Sequence, residues 1–428
     1  MLSLLEITLI ALAVLVLVPV AVLCAECLAA LLPGRPRNAS SSARPTVAVL
    51  IPAHNEQAGL PDTLRSIQPQ LRAGDRIVVV ADHCDDDTAG VARSLGCDVV
   101  ERGASTDPRR GKGFALDEGL KHLAAHPPDV VVMADADCRV EAPSIDALAR
   151  LASETGGPVQ GAYVMAPPPE RKGDNPKQLV SALAIVLKNY VRPRGLSRLG
   201  CPCLLTGSGM AFPWRVIRDA PLASGNIVED MQLGLDLAMA GHPAAFCEDA
   251  HITSLLPDQD DAAVRQRRRW EHGHIHTLLR QVPRLVWSGI ARGRLACLPL
   301  ALELAVPPLS LLTTVLLASL LLSILAAATT SVSWTAAAML ACGFAVLMAC
   351  VLLTWWRFGR AHLPFTALLA APWYVLWKAP IYASFFHRRE KQWQRTERPP
   401  VAPPPSNSIA PPPAPRPKEE PADVAAGA

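Results

Sequence analysis

Aromatic residues are scarce in this 428-residue sequence: Phe, Trp and Tyr make up 5% of it, although half of it is hydrophobic. With a positive mean hydropathy, that balance implies a soluble part joined to membrane segments. An excess of charge is also lacking. A net +3 over this length gives no reason to expect a nucleic-acid partner. Zinc-type cysteine pairing is missing too. Cys24 and Cys27 have Cys-x-x-Cys spacing but lie in an apolar run, and no second pair completes a site. The eleven cysteines are scattered, which reads as reduced, structural thiols with the soluble part in the cytoplasm. There is no internal repeat, and the length exceeds one ordinary domain.

The long apolar runs are present in number. Residues 4–32 can span a bilayer. No basic stretch precedes them and they outrun a signal-peptide core, so they read as an N-terminal transmembrane helix (1–33) and not a secretory signal. Arg35, Arg37 and Arg44 follow, which places the next segment on the cytoplasmic side. Residues 34–45 are a proline-punctuated linker. Apolar character returns at 298–328 and 334–356, an out-and-back pair with basic flanks. Residues 363–386 are apolar but contain Pro372, Lys378 and Pro380, and basic residues flank both ends. They read as re-entrant or interfacial. From 399 the chain is rich in proline and alanine and reads as a disordered tail.

Between these, residues 46–290 alternate strand and helix patterns. Strands are expected over 46–51, 76–81, 98–101 and 129–134, with helices over 60–71, 88–95 and 113–125. Short crossovers between apolar strands imply a mostly parallel sheet flanked by helices. Further on, 156–165 and 203–212 hold strand material, and 178–191, 229–240 and 262–279 read as helices.

Polar clusters sit where open sheets bind ligands, at strand carboxyl ends and helix starts. Val130-Val131-Val132-Met133-Ala134 runs into Asp135-Ala136-Asp137. Two carboxylates one residue apart suit a divalent cation holding a nucleotide diphosphate, although either could instead cap the next helix. The first strand ends in Pro52-Ala53-His54-Asn55-Glu56. The second ends in Asp82-His83-Cys84-Asp85-Asp86-Asp87, where Asp82 can accept from a base or ribose and Asp86 can cap a helix. Gly111-Lys112-Gly113 opens a helix, where glycines and a lysine can meet a phosphate. It lacks the spacing of a P-loop. Glu229-Asp230 begins another helix, either as ordinary first-turn charge or as a general base. Gln266, Arg269 and Trp270 share a face of a basic helix. An arginine there can neutralise a diphosphate leaving group, and an indole can stack on a sugar. The same helix could also rest on anionic lipid.

This order of motifs resembles the membrane-embedded family 2 glycosyltransferases, such as cellulose, hyaluronan and poly-N-acetylglucosamine synthases and exopolysaccharide transferases. The resemblance covers about 46–280 and the flanking spans. It implies a nucleotide-diphospho-sugar transferase (GT-A-like) α/β fold. It also implies Pro52, Glu56 and Asp82 in the nucleoside pocket, and Lys112 and Asp135 by the diphosphate. Asp137 would be a ligand of Mg2+ or Mn2+, and the Gly207-Ser208-Gly209 loop would lie near the acceptor. Asp230 would be the catalytic base beside Glu229. Gln266, Arg269 and Trp270 would hold leaving group and acceptor, and Trp393–Arg398 would be a gating segment. Val228-Glu229 replaces the commoner Thr-Glu, and the spans are few, which bears on processivity. The expected activity is inverting transfer from a nucleotide sugar, a UDP-sugar, to a polysaccharide or lipid-linked acceptor at the inner membrane, with polysaccharide export subunits as partners. The alternatives are a single-addition polyprenyl-phosphate transferase and a non-catalytic scaffold of a secretion complex.

Overall fold

A computed structural model describes residues 3–34, 43–103, 109–167, 176–223, 228–256, 260–360 and 363–387. Among these residues eight strands form one mixed sheet: β1 (Val47–Ala53), β2 (Arg76–Asp82), β3 (Asp98–Arg102), β4 (Val130–Met133), β5 (Arg139–Val140), β6 (Val159–Ala166), β7 (Met210–Pro213) and β8 (Ala245–Leu255). Their order is β3-β2-β1-β4-β7-β6-β8-β5. The first four are mutually parallel; β7 runs antiparallel to β4 and β6, β8 is parallel to β6, and β5 is antiparallel to β8.

The side-chain period of two divides the sheet's apolar residues between its faces. Val47, Val49, Ile51 and Val79 point into one core layer, and Ala48, Leu50, Val78 and Val80 into the other. Helix Lys112–Leu123 lies so close to the second layer that a Cβ on Gly119 would come within 2.3 Å of Leu50. In the parallel half, Val47 pairs with Val130 and Ala53 with Ala81. That register brings the carboxyl ends of β1, β2 and β4 to one rim. The polar residues that follow each strand therefore converge.

The expected strand over 203–212 is realised only at Met210–Pro213. Gly207 and Gly209, at φ +96° and +67°, turn the backbone out of the extended region before it. Strand β8 had no counterpart in the sequence reading. Its charged centre, Glu248 and Asp249, coincides with a register shift against β6 between Gly161 and Ala162. Helix Asp260–Ala291 is longer than expected and continues through Pro283. Helix Pro176–Val186 passes into a π-helical turn, Leu187–Val191, and then into Arg192–Arg198.

Among the described residues, three helices are long and apolar enough to cross a membrane: Leu4–Ala29, Leu309–Thr329 and Thr335–Gly359. The first, at 26 residues, is about 39 Å long at 1.5 Å per residue, against about 30 Å of hydrocarbon. The apolar stretch 298–328 is not one helix. Pro307 and Pro308 separate Cys297–Ala305 from Leu309–Thr329, since proline supplies no amide to continue the ladder. Residues 363–386 form Phe365–Leu368 and Ala371–His387. The first apolar helix is bound to the sheet domain through a buried ion pair. Arg192 Nε donates to Glu26 Oε2 at 2.5 Å, and Arg192 Nη2 donates to Glu303 O at 2.8 Å. Gly195 makes room for this contact, because a Cβ there would lie 1.9 Å from Glu26 O. Most of the linker, the gating segment and the tail lie outside the described residues.

Candidate active site

A cavity of about 310 Å³ opens at the carboxyl rim of β1, β2 and β4. Pro52 and Glu56 enter from the end of β1 and Asp82 from β2. Asp135 and Asp137 enter from β4, Lys112 from the start of its helix, Gly207 from the loop before β7, and Glu229 and Asp230 from the first turn of Glu229–Ala240. Gln266, Arg269 and Trp270 close it from Asp260–Ala291. Twelve of the fourteen expected site residues thus share one space.

The two strand-end turns lean on each other. His54 Nδ1 lies 2.6 Å from Asp82 O, and Asn55 Oδ1 accepts from the Asp85 amide at 2.7 Å. Asn55 and His83 have positive φ, 54° and 53°, so both turns bend sharply as they leave the sheet. Asp82 is fixed by Arg102 Nη1, which donates to Oδ1 at 2.5 Å, and by His83 Nδ1 at 2.8 Å. Asp86 Oδ1 accepts from the Thr88 amide at 3.1 Å, the first amide of the next helix, whose N-cap position is held by Asp87 and not by Asp86.

Lys112 is the electrostatic centre. Its ammonium forms an ion pair with Asp135 and donates to Gly207 O at 2.6 Å. Burial works against its charge, but Asp135, then Glu229 and Asp230, outweigh burial and raise its pKa. Burial and the Asp230 charge push Glu229 up to about 7. Burial also raises Asp230, against the opposing pull of Lys112. A carboxylate raised in this way is a stronger base once ionised. Burial lowers Arg269, opposed by Glu229, Asp230 and Asp135.

One atom each from Asp135, Asp137 and Cys138 lie within 4.8 Å of one another. Cys138 is 2% exposed, and burial followed by the Asp135 charge pushes its thiol up to about 12. It stays protonated and receives a hydrogen bond from Ser208 Oγ at 3.4 Å. The two carboxylates remain as oxygen donors beside open space. That donor set fits a hard divalent cation that completes its shell with water and phosphate oxygens.

Ser208 and Gly209 do not line the cavity. Ser208 is fully buried and its Oγ accepts from the Asp135 amide at 3.1 Å. The Gly209 amide donates to Met133 O at 2.9 Å, inside the sheet. Their contribution is to hold Asp135 and the strand. Conversely, Tyr163, Met165, Ile185, Lys188 and Asn189 line the cavity without having been singled out from sequence. The one available signal was Lys188, a lone charge between Gln178 and Arg192 in an apolar stretch.

An open mixed sheet flanked by helices, with paired carboxylates at a strand end, a lysine against them and a second acidic pair at a helix start, is a fold of the GT-A-like class. Residues 45–273, over half of the chain, match the family described as glycosyltransferase like family 2, and the chain belongs to that family. Over 96 residues, 22% of the chain, it is 41% identical to uncharacterized glycosyltransferases of Mycobacterium tuberculosis (strain H37Rv) and Mycobacterium bovis. The match spans 38% of those relatives' length. Among solved structures, the mannosyltransferase PcManGT from Pyrobaculum calidifontis, in complex with GDP-Man and Mn2+, aligns over 87% of this chain and 99% of its own. Its TM-score is 0.52 at 21% identity, a likeness of fold.

Proposed function

We propose that this family 2 glycosyltransferase moves a sugar from a nucleotide sugar, a UDP-sugar, to a glycan or lipid-linked acceptor. It inverts the anomeric centre and serves exopolysaccharide or cell-envelope glycan synthesis at the cytoplasmic face of the inner membrane. The observation that carries the reading is the single cavity in which Asp135, Asp137, Lys112, Asp230, Arg269 and Trp270 meet. The family membership and three apolar helices of spanning length support it.

The nucleoside lies against Pro52, Glu56 and Asp82. Lys112 and Arg269 aim cationic donors at the diphosphate and stabilise the charge that grows as it leaves. Asp137, with Asp135 beside it, holds Mg2+ or Mn2+, which supplies Lewis-acid neutralisation of the diphosphate when bound. The solved mannosyltransferase, with Mn2+ in its complex, is consistent with that assignment. Asp230 takes the proton of the acceptor hydroxyl, its basicity kept high by burial and by the Asp135 charge. Trp270 stacks on the acceptor sugar while Gln266 orients the leaving group.

The test is to incubate membranes carrying the protein with a panel of UDP- and GDP-sugars and Mg2+ or Mn2+, following released nucleotide and product size. Asp230→Asn should lower turnover by about 10²- to 10⁴-fold, the range of a general base. Retained turnover rules out Asp230 as the base.

A further inference from the structure

A second cavity of about 610 Å³ lies on the membrane side of the first. Its walls come from helices Pro176–Val186, Leu309–Thr329, Thr335–Thr354 and Ala371–His387, two of which belong to the spanning-length set. They present hydrocarbon such as Leu183, Leu317, Phe344 and Met348. The two cavities meet: Ile185, Lys188 and Trp270 line both. A space of this size, set among apolar helices and walled mostly by hydrocarbon, suits an alkyl chain better than a glycan, whose hydroxyls would find few partners over most of its surface.

The charges on its wall are not balanced. Arg192 is paired with Glu26, and Lys378 with Glu271. Among the described residues no carboxylate forms a close ion pair with Lys188 or Arg267, although the charges of Asp230, Glu271 and Glu303 reach Lys188 through space. Arg267 lies over the rings of Tyr374 and Trp377, at 5.5 and 5.2 Å. The side chain of Lys188 stands open to the cavity at the junction. Two cations without a close ion-pair partner beside an apolar space suit an anion attached to a hydrocarbon.

We infer that the second cavity holds the hydrocarbon chain of the acceptor, a long-chain lipid whose anionic head lies at Lys188. The head then enters the first cavity between Trp270 and Asp230 with its chain trailing among the apolar helices. This rests on the transferase reading for what happens to the head.

The full-length protein in phosphatidylcholine nanodiscs can be photolabelled with hexadecyl phosphate bearing a diazirine near its methyl end. Label is expected on the segments holding Leu183 and Phe344. Unlabelled hexadecyl phosphate should compete at roughly tenfold lower concentration than hexadecanol, the worth of one charge-assisted hydrogen bond. Lys188→Gln should abolish that tenfold difference. Ala184→Trp and Leu317→Trp, which fill the cavity, should each remove most of the label while UDP or GDP binding with Mn2+ persists, which also reports that they fold. Label insensitive to both tryptophans, or equal competition by the alcohol and the phosphate, overturns the inference. Nucleotide binding is read in the same preparations. Its absence from the wild type overturns the transferase reading, whereas a wild type that binds nucleotide but takes no label overturns this one.

Discussion

Gly207→Ala separates the geometry of the site from the stability of the fold. Gly207 has φ +96°, where an L side chain costs about 1–2 kcal/mol. A methyl there would lie 3.0 Å from Asp230 Oδ2 and 3.6 Å from Lys112 Nζ, so the carboxylate must give way by a few tenths of an ångström. Because a shift of ~1 Å in a reacting group can cost ~10²-fold, turnover should fall roughly 10- to 100-fold with a melting temperature lowered by only a few degrees. Gly209→Ala is the control. Its φ is +67°, and its Cβ would come within 2.3 Å of Ile252 Cδ1 in the core. Overpacking of that kind costs about 1–3 kcal/mol and leaves Asp230 in place. Nucleotide release per folded molecule, alongside thermal melts of both variants, makes the comparison. Wild-type turnover in Gly207→Ala, or a greater loss of turnover in Gly209→Ala, would refute the placement of Asp230 against this loop.

Two other outcomes follow from burial and charge. Glu229 takes up its proton near pH 7 in the folded chain, against an ordinary value of 4.5. Its contribution is fully present below about pH 4.5 and is lost as pH rises through 7. Metal-free wild type should therefore lose more melting temperature between pH 5 and 8 than Glu229→Gln, and an equal loss in the two refutes the assignment. Glu26→Ala strands the buried Arg192 guanidinium and should destabilise the junction of the first apolar helix with the sheet domain by about 3–5 kcal/mol. Thermal melts of Glu26→Ala against wild type check this, and an unchanged transition would show that the pair contributes little.

The sheet was legible where strands are apolar throughout and end in polar clusters. Val130 to Met133 and Arg76 to Asp82 fall within a residue of their expected bounds, and the parallel register carries their carboxylates to one rim without further information. β8 was not legible, because Glu248 and Asp249 give it the polarity of a loop. Glu248 is satisfied by Arg194 and Arg198, some fifty residues earlier, and sequence spacing does not reveal that pairing. Ser208 and Gly209 belong to the loop expected near the acceptor, and the structure buries them behind the cavity wall. Two glycines at positive φ decide which way the loop turns, and composition alone does not set that direction. Lys188 and Asn189 were missed for a related reason. The π-helical turn at Leu187–Val191 adds a residue to the helical repeat, so a period of 3.6 does not carry the facing of one side of the segment to the other. Pro307 and Pro308 were hidden inside a run whose average hydropathy is high on both sides.

The most direct measurement is calorimetric titration of the purified full-length chain with UDP and with GDP, with and without Mn2+, for wild type and Asp137→Asn. Asp135 and Asp137 as cation-bridged partners of the diphosphate predict that at least one nucleotide binds the wild type, that binding depends on the cation, and that Asp137→Asn loses that dependence together with most of the affinity. Binding of equal strength without the cation, or unchanged in Asp137→Asn, would contradict the cation-bridged site.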